Sequence, residues 1–278
     1  MNRMIDADIA YYEYYDCEMV DHVSFASESG HEQECFYYYY IPKDGEIDET
    51  TPVVAYVTHG GGTSEDERAL ALHKAASQDT RAIFVIPYTD RPDTVCASIE
   101  DARSRLNGKG NFAAISGHGT SSGGRAIMQA AVESVNPDAD YGFRFANIFA
   151  YDPAEQTDTT NIREQSDALR RLAEQGTVFF IQTDTDSEGH GGSGAICNRY
   201  ARAYSEAGGT AIVAEIESAS HENKFIMPLT HNSINWAIGR GQLIEDEVYR
   251  NNWYYYLDNI KHPSSLEEVG HILHPDRQ

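Results

Sequence analysis

Residues 112–135 read FAAISGHGTSSGGRAIMQAAVESV, and three signals follow one another within them. A short apolar run, Phe112–Ser116, predicts a buried strand. The run Ser122–Val135 carries apolar residues at helical spacing. Between them lies Gly119-Thr120-Ser121-Ser122-Gly123, a G-x-S-x-G pentapeptide. A serine on a tight turn from strand to helix is pushed outward, and glycine on either side removes the Cβ atoms that would clash there. The N-terminus of the following helix favours developing negative charge. Ser121 is therefore the candidate nucleophile. Ser122 is one residue off register, because Thr120 and not glycine stands two places before it.

Working outward, apolar β-branched runs alternate with longer helical patterns. The predicted strands are Val53–Thr58, Ala82–Ile86, Phe112–Ser116, Phe145–Ala150, Val178–Gln182 and Ala211–Ile216. Their near-continuous apolarity suits strands buried on both faces. The predicted helices are Ser64–Gln78, Thr94–Leu106, Ser122–Val135, Ile162–Gln175, Ala195–Ala207 and the short Asn232–Gly239. Ser64 and Glu67 make a capping box, and Val95, Ile99, Ala102 and Leu106 share one helical face. Such alternation predicts an α/β chain, a mainly parallel sheet covered by helices. There is no internal repeat and no low-complexity linker.

The run VVAYVT leads directly into His59-Gly60-Gly61-Gly62. With an HGGG turn after an early strand and a G-x-S-x-G elbow after a later one, the chain resembles the α/β-hydrolase family over residues 50–240. That resemblance implies an oxyanion hole built from the backbone N–H groups of Gly61, Gly62 and Ser122, with His59 structural. It also implies the chain order Ser, acid, His for a catalytic triad. The acid is expected a few residues past VFFIQ, where Asp186 matches best and Asp184 is an alternative. Asp152, after FANIFA, is a further alternative. His221, in the loop after AIVAEI, is the expected general base. His118 packs or lines the site, and His190 and His231 are weaker candidates. Only one helix is expected between FANIFA and VFFIQ, so no large lid domain.

The resemblance implies an esterase that cleaves a small-molecule or polymer-derived carboxylic ester through an acyl-enzyme. Two other readings stay open: a serine peptidase of the same fold, and a non-catalytic binding protein on this scaffold. No cofactor is expected. Asp184, Asp186, Glu188 and His190 alternate in one loop, but their spacing matches neither an EF-hand nor H-E-x-x-H, so no metal is expected. GHGGSG lacks the lysine of a phosphate loop, and GHGTSSGG does not fit a dinucleotide fingerprint.

The 278 residues carry 44 acids against 21 bases, a net charge of −23. That balance repels phosphate backbones and anionic lipid, which excludes nucleic-acid and membrane-surface binding as leading functions. Residues 1–50 account for −11 of it, residues 51–241 for −8 and residues 242–278 for −4. The acidity thus belongs mostly to the flanks of the catalytic core. No basic leader precedes an apolar core at the start, so a cytoplasmic location is expected. Cys17, Cys35, Cys96 and Cys197 have no CxxC spacing and read as reduced thiols, with Cys17–Cys35 the one bridge to test. The whole reads as a single domain in three parts. Tyr-rich residues 1–50 predict antiparallel edge strands, 51–241 form the core, and QLIEDEVYRNNWYYYLDNI opens a helical extension over 242–278.

Overall fold

The computed structural model describes residues 15–26, 32–43, 46–57, 81–87, 91–151, 153, 165–184, 194–216 and 253–257. Nine strands form one sheet: β1 (Tyr15–Ala26), β2 (Glu32–Pro42), β3 (Val53–Val57), β4 (Ile83–Pro87), β5 (Ile115–Thr120), β6 (Phe145–Tyr151), β7 (Val178–Asp184), β8 (Thr210–Ile216) and β9 (Trp253–Leu257). Their order is β1-β2-β4-β3-β5-β6-β7-β8-β9. The six central strands, β4-β3-β5-β6-β7-β8, run parallel. β1 and β2 at one end and β9 at the other pair antiparallel. The described helices are α1 (Pro92–Arg105), α2 (Ser122–Glu133), α3 (Ser166–Glu174) and α4 (Gly194–Glu206). The sheet is mainly parallel and flanked by helices, as the alternation of runs predicts. Residues 152–177, which join β6 to β7 through α3, are too few for a lid domain.

The two faces of the sheet bury different residues. On one, Val53, Ala55, Val57, Ile83, Val85, Ile148 and Ile181 meet the buried sides of the helices, including Val95 and Ile99 of α1, Ile127 and Ala130 of α2, and Leu172 of α3. On the other, Tyr40, Val54, Tyr56, Phe84 and Ile86 form a second apolar cluster. Burying each large apolar side chain contributes about 1.5–3 kcal/mol, so these two layers supply the main driving force.

Two features differ from the sequence reading, and a third answers the question of the cysteine bridge. Phe112–Ala114 is a 3-10 turn, and the strand after it is Ile115–Thr120. The strand runs through glycines because a side chain at Gly119 would meet the backbone of the following helix and one at Gly117 would crowd Ile148 and Ile127. Trp253–Leu257 is a strand and not part of a helix. Its four aromatic residues favour a pleated surface, and β8 offers an edge on which Ile212 meets Leu257 and Ile216 meets Trp253. Finally, the β1–β2 register sets Cys17 opposite Tyr40 and Cys35 opposite Val23. The two cysteines are thus far apart along the ladder, beyond the roughly 7 Å between Cα atoms that a disulfide allows. Cys96 and Cys197 are buried free thiols. The expected helices Ser64–Gln78 and Asn232–Gly239 lie outside the described residues. Among the described residues, no helix is long and apolar enough to cross a membrane.

Tyr37 ties the antiparallel end to the parallel core. Its buried hydroxyl donates to Asp101 Oδ2 of α1 at 2.6 Å, and Arg105 Nε holds the same oxygen at 2.6 Å. Burial, then the carboxylate acceptor, pushes the Tyr37 phenol well above its ordinary range.

Candidate active site

Ser121 stands where β5 ends and α2 begins. It is the N-cap of α2 and has φ 54° and ψ −122°. Among the described non-glycine residues, only Asn107 also has positive φ. Such a backbone costs on the order of 1–3 kcal/mol and persists only where its surroundings enforce it. Here the enforcement is visible. The Ser121 N–H donates to the Tyr151 carbonyl at 2.9 Å, and the Arg125 N–H donates to the Ser121 carbonyl at 3.1 Å. A Cβ on Gly119 would overlap the Gly123 carbonyl and come within 2.8 Å of the Gly124 nitrogen. Gly119 must lack a side chain because β5 and the first turn of α2 touch backbone to backbone. Ser121 is 8% exposed.

Ser122 opens α2. The first N–H groups of a helix have no acceptor within it, and they concentrate partial positive charge at that end. The arrangement can therefore hold negative charge beside Ser121.

β3, β5, β6, β7 and β8 are parallel, so their C-terminal ends share one edge of the sheet. Ligands of open α/β sheets bind at that edge. Val57, at the end of β3, lies opposite Gly119, and the HGGG turn begins two residues later. Asp184 is the last residue of β7 and lies opposite Ile216, the last of β8. Thus each chain segment expected to carry a site residue leaves the sheet at the edge where Ser121 sits. Of the candidates, the structure brings together Ser121 and Ser122, and it places the backbone of Asp184. His59, Gly61, Gly62, Asp152, Asp186, His190, His221 and His231 lie outside the described residues. Among the described residues, no group of three or more His, Cys, Asp or Glu side chains could hold a metal ion.

His118 turns out to be interior. It is fully buried and stacks on Phe149 with 4.9 Å between ring centroids and 9° between planes. Its Nε2 is 2.8 Å from Ser116 Oγ and its Nδ1 3.2 Å from the Tyr151 hydroxyl. Burial lowers its pKa from 6.5 to about 3, so the ring is neutral. Sealed from solvent and of such low basicity, the ring packs in the interior and is a poor general base. Tyr151 is the contributor that the sequence did not reveal. It stands just past the predicted run Phe145–Ala150, and only the tertiary structure shows that its carbonyl meets the Ser121 N–H.

No family model matches the chain, and no curated protein matches it by sequence. Solved structures do resemble it. A hyperthermophilic esterase from the archaeon Pyrobaculum calidifontis is 15% identical with a TM-score of 0.52, over 85% of this chain and 90% of its own. A thermophilic esterase from the planctomycete Thermogutta terrifontis is 12% identical with a TM-score of 0.51, over 78% of this chain and 94% of its own. An acylaminoacyl peptidase is 12% identical with a TM-score of 0.59, over 92% of this chain and 44% of its own. Likeness at such identities speaks for a shared fold.

Proposed function

We propose, from the premise that the chain has the α/β-hydrolase fold of these esterases and this peptidase, that it is a serine hydrolase cleaving carboxylic esters. The observation that carries this reading is Ser121, held at φ 54° between the C-terminal end of β5 and the start of α2. A strained, enforced serine at a helix N-terminus on the ligand-binding edge of a parallel sheet is a poised nucleophile.

In the proposed reaction, His221 takes the proton from Ser121 Oγ, which attacks the ester carbonyl carbon. The backbone N–H groups of Ser122, Gly61 and Gly62 hold the resulting oxyanion. Asp186 holds His221 in the productive tautomer and stabilises its charged form, with Asp184 and Asp152 as the other candidates for this role. The tetrahedral intermediate collapses, and the alcohol leaves with the proton from His221. Water then attacks the acyl-enzyme with His221 again as base, which frees the acid and restores Ser121. Chain length permits this assembly. β8 lies three strands from β5, about 14 Å at roughly 4.8 Å per strand. His221 is five residues beyond Ile216, a reach of about 17 Å. Asp186 needs only to reach the imidazole, which lies between acid and serine in a triad. The short β6–β7 connection suits a polar or bulky small-molecule or polymer-derived ester better than a long lipid chain.

The test is Ser121→Ala against a p-nitrophenyl ester. The expected result is a loss of kcat of at least about 10³-fold, and retention of full activity would overturn the reading. A serine peptidase is the second reading, favoured by the peptidase neighbour that covers 92% of this chain. Parallel assays on acyl esters and aminoacyl anilides separate the two.

A further inference from the structure

The buried face of β5 carries a hydrogen-bond chain with a fixed direction. Ser116 Oγ donates its single hydrogen to Asn147 Oδ1 at 2.5 Å. Toward His118, 2.8 Å away, the same oxygen must therefore accept, and His118 Nε2 carries the proton. The neutral ring then has an unprotonated Nδ1, which accepts from the Tyr151 hydroxyl at 3.2 Å. The order is Tyr151 O–H to His118 to Ser116 to Asn147. Its four members lie on adjacent strands, with Ser116 opposite Asn147 and His118 opposite Phe149 in the β5–β6 ladder. Ser116, His118 and Tyr151 are each no more than 2% exposed.

This placement is costly without a purpose. His118 sits in a lateral row of otherwise apolar or aromatic residues, Tyr56–His118–Phe149–Phe180–Ile212–Leu257, running from β3 to β9. An apolar ring there would need no partners, whereas an imidazole must have both nitrogens satisfied. The hydrogen-bond chain begins at Tyr151, the residue whose carbonyl holds the Ser121 N–H at 2.9 Å. Besides its ladder pairs with Thr120 and Gln182, Tyr151 makes two contacts that link the elbow to the relay: its backbone carbonyl on the strained serine and its hydroxyl on His118.

We propose that His118 is a positioning residue for the nucleophile, acting through Tyr151: it fixes the ring of Tyr151, and with it the carbonyl that keeps Ser121 in its strained backbone conformation. The inference rests on the serine-hydrolase reading above. Without the relay the end of β6 can relax, Ser121 leaves its reactive geometry for part of the time, and the chemical step slows while substrate binding is unchanged.

The experiment uses Tyr151→Phe, which removes only the hydroxyl, and His118→Phe, which keeps the stack on Phe149. Folded protein is measured for kcat and KM on a p-nitrophenyl ester and for the rate of Ser121 labelling by a fluorophosphonate. A fall on the order of threefold to tenfold in kcat and in labelling rate is expected for each, the size of one lost hydrogen bond. KM should stay constant, and the double variant should be no slower than the slower single one. Unchanged kcat and labelling rate, with only a lower melting temperature, would show the relay to be structural and overturn the inference. If His118→Phe does not fold, Tyr151→Phe decides alone. Failure of the underlying reading looks different: wild-type protein would then not be labelled at Ser121 at all.

Discussion

The two faces of β5 solve opposite problems. Toward α2, side chains are deleted: Gly117 and Gly119 let the helix lie against the strand. Toward the other face, side chains are polar: Ser116 and His118 stand among aromatic residues and satisfy one another in a directed chain. One face positions the nucleophile by close approach, the other by hydrogen bonds. The difference teaches that a single strand can meet a stringent geometric demand in two ways, with unequal tolerance to change.

The largest effect is expected at Gly119. In Gly119→Ala the new Cβ meets backbone of α2 that cannot step aside, so destabilisation of about 4 kcal/mol or more is expected in urea unfolding. Gly117→Ala is milder. There the Cβ meets the end of Ile148, Cδ1, at 2.7 Å, which can rotate away, and Ile127 Cγ1 at 2.9 Å, which must shift, so about 1–3 kcal/mol is expected. If the two substitutions cost the same, the distinction between a backbone clash and a side-chain clash fails for this strand.

The polar face should reveal itself through pH. His118 stays neutral in the fold down to about pH 3, whereas an unfolded histidine takes up a proton near 6.5. Between those values the unfolded chain binds more protons, so the contribution of His118 is full above about 6.5 and is lost as pH falls toward 3. Urea unfolding of wild type and His118→Phe at several pH values from 7.5 to 4 should show the stability of wild type relative to the variant declining with acidity. A constant difference would mean that the ring is not neutral and buried in this way. The smallest effect is expected far from both faces. Tyr37→Phe removes the bond to Asp101 and should cost about 1 kcal/mol with kcat unchanged. A change in kcat there would mean that the antiparallel end of the sheet is coupled to the elbow.

Apolar runs bounded by turn residues were enough to locate all six central strands to within a few residues, because burial on both faces leaves an unmistakable composition. The one shifted strand, Ile115–Thr120, is instructive. Its glycines and histidine look like a turn, and only the approach of α2 makes glycine the right strand residue. Trp253–Leu257 failed for the complementary reason: a short aromatic run has no fixed period until a partner edge is present.

By itself the sequence determined the fold class, the place of Ser121 between strand and helix, and the chain order in which acid and base candidates follow it. These are local or compositional properties. Tertiary structure alone decided that Gly119 must lack a side chain, that His118 is a buried neutral ring and not a second base, and that Tyr151 holds the Ser121 amide. The first depends on how closely the start of α2 folds back on β5; the other two depend on contacts between residues far apart in the chain, 31 positions for Ser116 and Asn147 and 33 for His118 and Tyr151. Strand register sets such contacts, and no periodicity in the sequence encodes it.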